Sequence, residues 1–150
     1  MKNGKSLLFA TALLMHLAFL PVSALAAEAP INEVKPEQLS SYIQNSVAAD
    51  DEKETSVKVG RAVEVILREN MTTPYRWHYR VSDEKAIRLL HEYYEPDPNP
   101  EKMVGVGGRH YYYFVAAAPG KYDIKFQENR IGDGFPPDSW DLVYKLTVTD

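Results

Sequence analysis

The chain has no cysteine, which removes disulfide cross-links, thiolate nucleophiles, zinc–thiolate centres and cysteine-borne lipids together. Its fold must therefore be held by packing and hydrogen bonds. Positive charge is also in short supply: 17 Lys and Arg stand against 21 Asp and Glu, for a net charge of −4. The basic residues do not cluster, so there is no footprint for a phosphate backbone and nucleic acid is excluded as a partner. The longest apolar run, Leu7 to Leu20, has 14 residues and is broken by Pro21, short of the roughly 20 that a membrane-spanning helix needs.

Several catalytic signatures are missing as well. There is no Gly-x-Ser-x-Gly turn to lift a nucleophile. His78, His91 and His110 stand singly, without the i, i+4 spacing of a helical metal pair. Asp133, Asp138 and Asp141 lack the alternating oxygen ligands and glycine of a calcium loop and read as a solvated turn. No catalytic residue, metal or cofactor is expected.

What remains is 150 residues with 45% hydrophobic and 11% aromatic side chains, enough for one ordinary core and too apolar for a disordered chain. Residues 1–26 read as a secretory leader: Lys2 and Lys5 precede the apolar run, and Ala24-Leu25-Ala26 has the small-x-small form of a cleavage site. Cutting after Ala26 removes two positive charges and no acid, which leaves −6 on the mature chain. A secreted or periplasmic protein with no membrane attachment after cleavage is expected.

Residues 27–54 read as an N-terminal arm, helical and packed on the domain or else flexible. Pro36, Leu39, Tyr42, Ile43 and Val47 have the spacing of a short amphipathic helix, and Asp50 to Glu54 reads as a solvated boundary. Over residues 55–150 the period changes to two. Val63, Val65 and Leu67 share one face of a strand; so do Tyr75, Trp77, Tyr79 and Val81; so do Tyr122, Ile124 and Phe126; and so do Leu142, Tyr144, Leu146 and Val148. One-face alternation of this kind marks antiparallel strands with a buried and a wet side. Arg109 to Ala116 is apolar on both faces, as an inner strand would be, and Pro119-Gly120 turns the chain into the next. Lys85 to Tyr94 matches neither period and is read as a strand from its neighbours. About seven short strands predict an all-β, immunoglobulin-like antiparallel sandwich.

Three loops interrupt the strands: Asn70-Met71-Thr72-Thr73-Pro74-Tyr75, then Gly105-Val106-Gly107-Gly108, then Asn129 to Trp140. In a Greek-key sandwich, alternate connections gather at one end. The residues in these loops resemble the chagasin-like inhibitors of papain-type cysteine proteases. That family carries Asn-Pro-Thr-Thr-Gly-aromatic followed shortly by Trp, then Gly-x-Gly-Gly, then Arg-Pro-Trp. Here Asn70 to Tyr75 with Trp77, Gly105 to Gly108, and Arg130-Ile131-Gly132 fall in the same order, and the resemblance covers about residues 55–149.

The departures are specific. Met71 stands where the family has Pro, and Pro74 replaces a Gly and fixes φ near about −65°. Ile131 and Gly132 stand where Pro and Trp belong, with Phe135 or Trp140 as the candidate replacement aromatic. The resemblance implies a monomeric, reversible inhibitor whose partner is a papain-family cysteine protease. Asn70 to Tyr75 would enter its cleft with Thr72 and Thr73 deepest. Gly105, Val106, Gly107 and Gly108, with Arg130, Ile131 and Phe135, would clamp the walls, the glycines permitting close backbone approach.

Plainer readings run beside these. Thr72, Thr73 and Pro74 suit an ordinary turn, Trp77 a core position, and Arg130 a surface ion pair. Gly105 to Gly108 lacks the Gly-Lys-Ser/Thr of a phosphate cradle. Asn70-Met71-Thr72 is also a glycosylation sequon. A second class stays open: an exported binding module for a glycan or envelope protein, using Tyr75, Phe135 and Trp140 as a stacking rim.

Overall fold

Alternating apolar residues become strands over about half of the described residues. The computed structural model describes residues 35–134, 136 and 139–150, within a compact unit that spans residues 34–150. The residues read as a leader (1–26), the first part of the arm, Phe135 and Asp138 lie outside the described residues. The elements are α1 (Pro36–Gln44), β1 (Val47–Ala48), β2 (Thr55–Lys58), β3 (Ala62–Glu69), β4 (Tyr75–Val81), β5 (Ile87–Pro96), β6 (Gly108–Ala116), β7 (Gly120–Arg130) and β8 (Leu142–Thr149).

They form two four-stranded sheets, ordered β1-β3-β6-β5 and β2-β8-β7-β4. β1 and β2 join β3 and β8 in parallel, and every other pairing is antiparallel. Between the sheets lie Val57, Val63, Val65, Leu67, Ile87, Tyr112, Phe114, Ile124, Phe126, Tyr144, Leu146 and Val148. These are the inward members of the alternating runs, and burying each such side chain contributes about 1.5–3 kcal/mol. β6, the run apolar on both faces, is central in its sheet and buried from Tyr112 to Ala116.

The ambiguous segment is strand β5, and its irregular pattern has a local cause. The register with β6 shifts between Leu89 and His91, so Leu90 is an extra residue and the period of two restarts after it. Ile87 and Leu89 precede the bulge on the inward face; Glu92 and Tyr94, opposite Tyr112 and His110, resume that face beyond it.

The expected short helix is α1. Pro36 opens it, the Gln38 side chain accepts a hydrogen bond from the Lys35 N–H at 3.1 Å, and Leu39, Tyr42 and Ile43 are half-buried. The helix lies against β3, and Arg61 Nη2 donates to the Asn45 carbonyl at 2.8 Å. Beyond it, Val47–Ala48 adds an eighth, two-residue strand beside Val63 and Glu64. The acidic run after it is not simply solvated. Glu54 accepts from the Thr147 hydroxyl and pairs with Lys121 at 3.2 Å. The Thr147 bond, and then Lys121, hold its carboxyl below its ordinary value.

The strand order settles where the connections go. β3 ends opposite the start of β6, β5 also ends there, and β4 starts opposite the end of β7. The β3–β4, β5–β6 and β7–β8 connections therefore share one end of the sandwich. The first passes from one sheet to the other, whereas the second and third are hairpin loops, each within a single sheet. The first is thus the central one.

Candidate functional site

The central loop, residues 70–74, is built on Asn70. Its Oδ1 accepts from the Thr72 N–H at 3.0 Å and from the Thr72 hydroxyl at 2.7 Å, the side-chain-closed turn that Asn readily forms. Its carbonyl accepts from the Thr73 N–H at 3.0 Å and the Thr73 hydroxyl at 2.8 Å. Arg76 braces the loop from behind: Nη1 donates to the Thr73 carbonyl at 2.8 Å and Nη2 to the Met71 carbonyl at 3.0 Å. Pro74 is accommodated by this turn. Met71, Thr72, Pro74 and Tyr75 are exposed, while Asn70 and Thr73 are partly covered.

Two hydrogen bonds join the central loop to its neighbours. Asn70 Nδ2 donates to the Gly105 carbonyl at 2.9 Å, and the Ile131 N–H donates to the Pro74 carbonyl at 2.8 Å. The outer tips stand in solvent, with Val104 98% and Ile131 61% exposed. The three loops therefore form one connected edge with threonine hydroxyls at its middle and apolar side chains along it.

The glycines of the second loop serve different ends. Gly105 has φ +78° with open space around its missing Cβ, a backbone conformation that disfavours other residues. Gly108 is buried, and a Cβ there would sit 2.3 Å from the Glu95 carbonyl and 2.6 Å from the Tyr94 hydroxyl. Its bareness serves packing of β6 against β5. Arg68 Nη2 pairs with Asp97 at 2.7 Å beside this loop. The Arg68 hydrogen bond holds the Asp97 carboxyl below its ordinary value.

In the third loop, Arg130 is exposed and pairs in register with Tyr75. Phe135 lies outside the described residues. Trp140 does not stand free as a replacement aromatic, because the Arg80 guanidinium covers its ring at 5.6 Å from the centroid. Ser139 accepts a hydrogen bond from Gln127 Nε2, and Asp141 accepts from the Glu128 N–H at 2.7 Å, so this end of the loop is tied to β7.

Beneath the central loop lies a polar cluster that the sequence reading missed. The Glu69 side chain is 1% exposed and its Oε2 is 2.6 Å from His110 Nδ1. Glu69 Oε1 accepts from the Trp77 N–H at 3.3 Å. The Tyr112 hydroxyl lies 3.1 Å from His110 Nδ1. Trp77 packs edge-on against Phe126 and donates its Nε1–H to the Arg68 carbonyl at 2.8 Å, as a core tryptophan would. The missed signal was present in the alternation: Val63, Val65 and Leu67 put Glu69 on the inward face, and Tyr112 and Phe114 do the same for His110. A carboxylate there needs a partner. Among the described residues no group of His, Asp and Glu is arranged to hold a metal ion.

The arrangement has the form of a presented surface. A search of curated protein sequences finds no match. The profile of the Chagasin family peptidase inhibitor I42 matches residues 56–148. Among solved structures, the chain is similar to the cysteine protease inhibitor EhICP2 from Entamoeba histolytica, with TM-score 0.57 and 18% identity over 69% of this chain and 96% of that one. It is also similar to amebosin, with TM-score 0.52 and 21% identity over 69% of this chain and 96% of that one. Both likenesses are of fold. With the family profile matching more than half of the sequence, the chain belongs to the chagasin family of peptidase inhibitors.

Proposed function

We propose that this protein is an exported, monomeric inhibitor of papain-type cysteine proteases that closes the protease cleft reversibly with the three joined loops. The observation that carries the reading is the continuity of that edge, Gly105 bonded to Asn70 and Pro74 bonded to Ile131. A loop already fixed by its own hydrogen bonds loses little conformational freedom on binding. Thr72 and Thr73 offer small hydroxyl and methyl groups to a narrow cleft. Met71, Val104 and Ile131 supply apolar surface that a protease wall would cover, within an interface of about 800 Å² per partner.

No covalent step is required: inhibition follows from occupancy. Export rests on the leader-like residues 1–26. The glycan-binding alternative is weakened, because Trp140 is already covered by Arg80. The test is a titration of active papain with the chain from Ala27 onward, following hydrolysis of a fluorogenic peptide, with trypsin in parallel. Reversible loss of papain activity alone is the expected result. Untouched papain at micromolar concentrations of folded protein would refute the reading.

A further inference from the structure

The sulfur of this protein is placed unusually. Its four methionines are Met1, Met15, Met71 and Met103, and it has no cysteine, so beyond the leader-like segment Met71 and Met103 carry all of it. Methionine ordinarily fills gaps in cores, yet the core cluster here contains none. Both residues instead belong to the loop end, Met71 in the central loop at 44% exposure and Met103 in the second loop at 59%.

Each is held by its backbone and exposed at its side chain. The Met71 carbonyl accepts from Arg76 Nη2 at 3.0 Å. The Met103 N–H donates to Asn99 Oδ1 at 2.9 Å, and its carbonyl accepts from Asn99 Nδ2 at 2.7 Å. A change at either sulfur therefore leaves the loop path and the core intact, and alters only what the edge presents.

We propose that Met71 and Met103 are oxidation sites through which peroxide turns inhibition down, an inference that rests on the proposed protease-binding role of the same edge. The thioether sulfur attacks one oxygen of hydrogen peroxide, the O–O bond breaks, and the sulfoxide forms while the peroxide is reduced to water. The thioether loses two electrons and the peroxide gains them. The product replaces an apolar tip with a strong hydrogen-bond acceptor. Covering that acceptor in an interface without a donor costs free energy that the thioether does not. With no thiol in the chain to react first, the exposed thioethers are its softest targets. Because a sulfoxide is reducible by methionine sulfoxide reductases, the change is a switch rather than damage.

The experiment treats the purified protein with hydrogen peroxide, removes the excess with catalase, and measures three things on the same sample: oxygen added at each methionine by peptide mapping, the thermal unfolding midpoint, and the papain inhibition constant. Expected are sulfoxide at Met71 and Met103, an unchanged midpoint, and inhibition weakened by about tenfold or more, restored by reductase with dithiothreitol. The Met71→Leu/Met103→Leu variant, whatever its own inhibition constant, keeps that constant after peroxide. Unchanged inhibition with both sulfurs oxidised overturns the switch, as does a Met71 that stays reduced when free methionine is oxidised. Absence of inhibition before any peroxide overturns the underlying protease-binding role instead.

Discussion

The Asn70 side chain donates to the Gly105 carbonyl at 2.9 Å while its Oδ1 closes the turn over Thr72, so one residue both shapes the central loop and ties it to the second. Asn70→Ala removes both. Because these bonds lie at the surface, unfolding free energy should fall by only about 1 kcal/mol. Papain inhibition should fall further, by about tenfold or more, since two loops must then be ordered on binding. Asn70→Asp keeps the acceptor and loses the donor, and should lie between. Equal losses of stability and inhibition in all variants would refute the bracing role.

The Glu69–His110 pair supports the loop from below. His110→Ala leaves a buried carboxylate with the Trp77 N–H as its remaining bonded partner and should destabilise the fold by about 3 kcal/mol in denaturant unfolding. Glu69→Gln retains a hydrogen-bonding group without the charge and should cost about 1 kcal/mol. If the alanine variant is as stable as the glutamine variant, the carboxylate is not sequestered as described.

Buried tyrosines set the alkaline limit. Desolvation by burial raises the hydroxyls of Tyr112 and Tyr113, with the Glu69 charge adding to the first and the Glu64 hydrogen bond to the second; burial pushes Tyr144 up to about 12. The fold thus favours the neutral phenols. That stability is fully present below the ordinary tyrosine value of about 10 and is lost as pH rises through the folded values. Denaturant midpoints should hold steady up to pH about 10 and decline above it. Phenolate absorbance should rise in two stages, exposed tyrosines first. A single stage in folded protein would contradict the burial of these hydroxyls.

The strands and loops were legible because period-two alternation and Gly, Pro and Asn turns are local signals. The β5 bulge was not, since one extra residue at Leu90 scrambles the period and only pairing with β6 reveals it. Val47–Ala48 was too short to show alternation, and it exists through its contact with β3. The motif residues from Asn70 to Tyr75 were readable as a loop. Their bracing was not, because Arg76 acts on the loop carbonyls through its side chain and Gly105 meets Asn70 across a sequence gap that no pattern encodes. The packing role of Gly108 was not readable either, because its missing Cβ answers to Glu95 and Tyr94 across the sheet.

The most direct test of cleft occlusion compares binding to open papain with binding to papain whose cleft is already filled by a covalently attached peptide inhibitor. The account predicts saturable binding to the open enzyme and an affinity lower by about a hundredfold or more for the filled one. Equal affinity for both would place the interaction elsewhere on the protease and contradict the role assigned to Thr72, Thr73 and their joined loops.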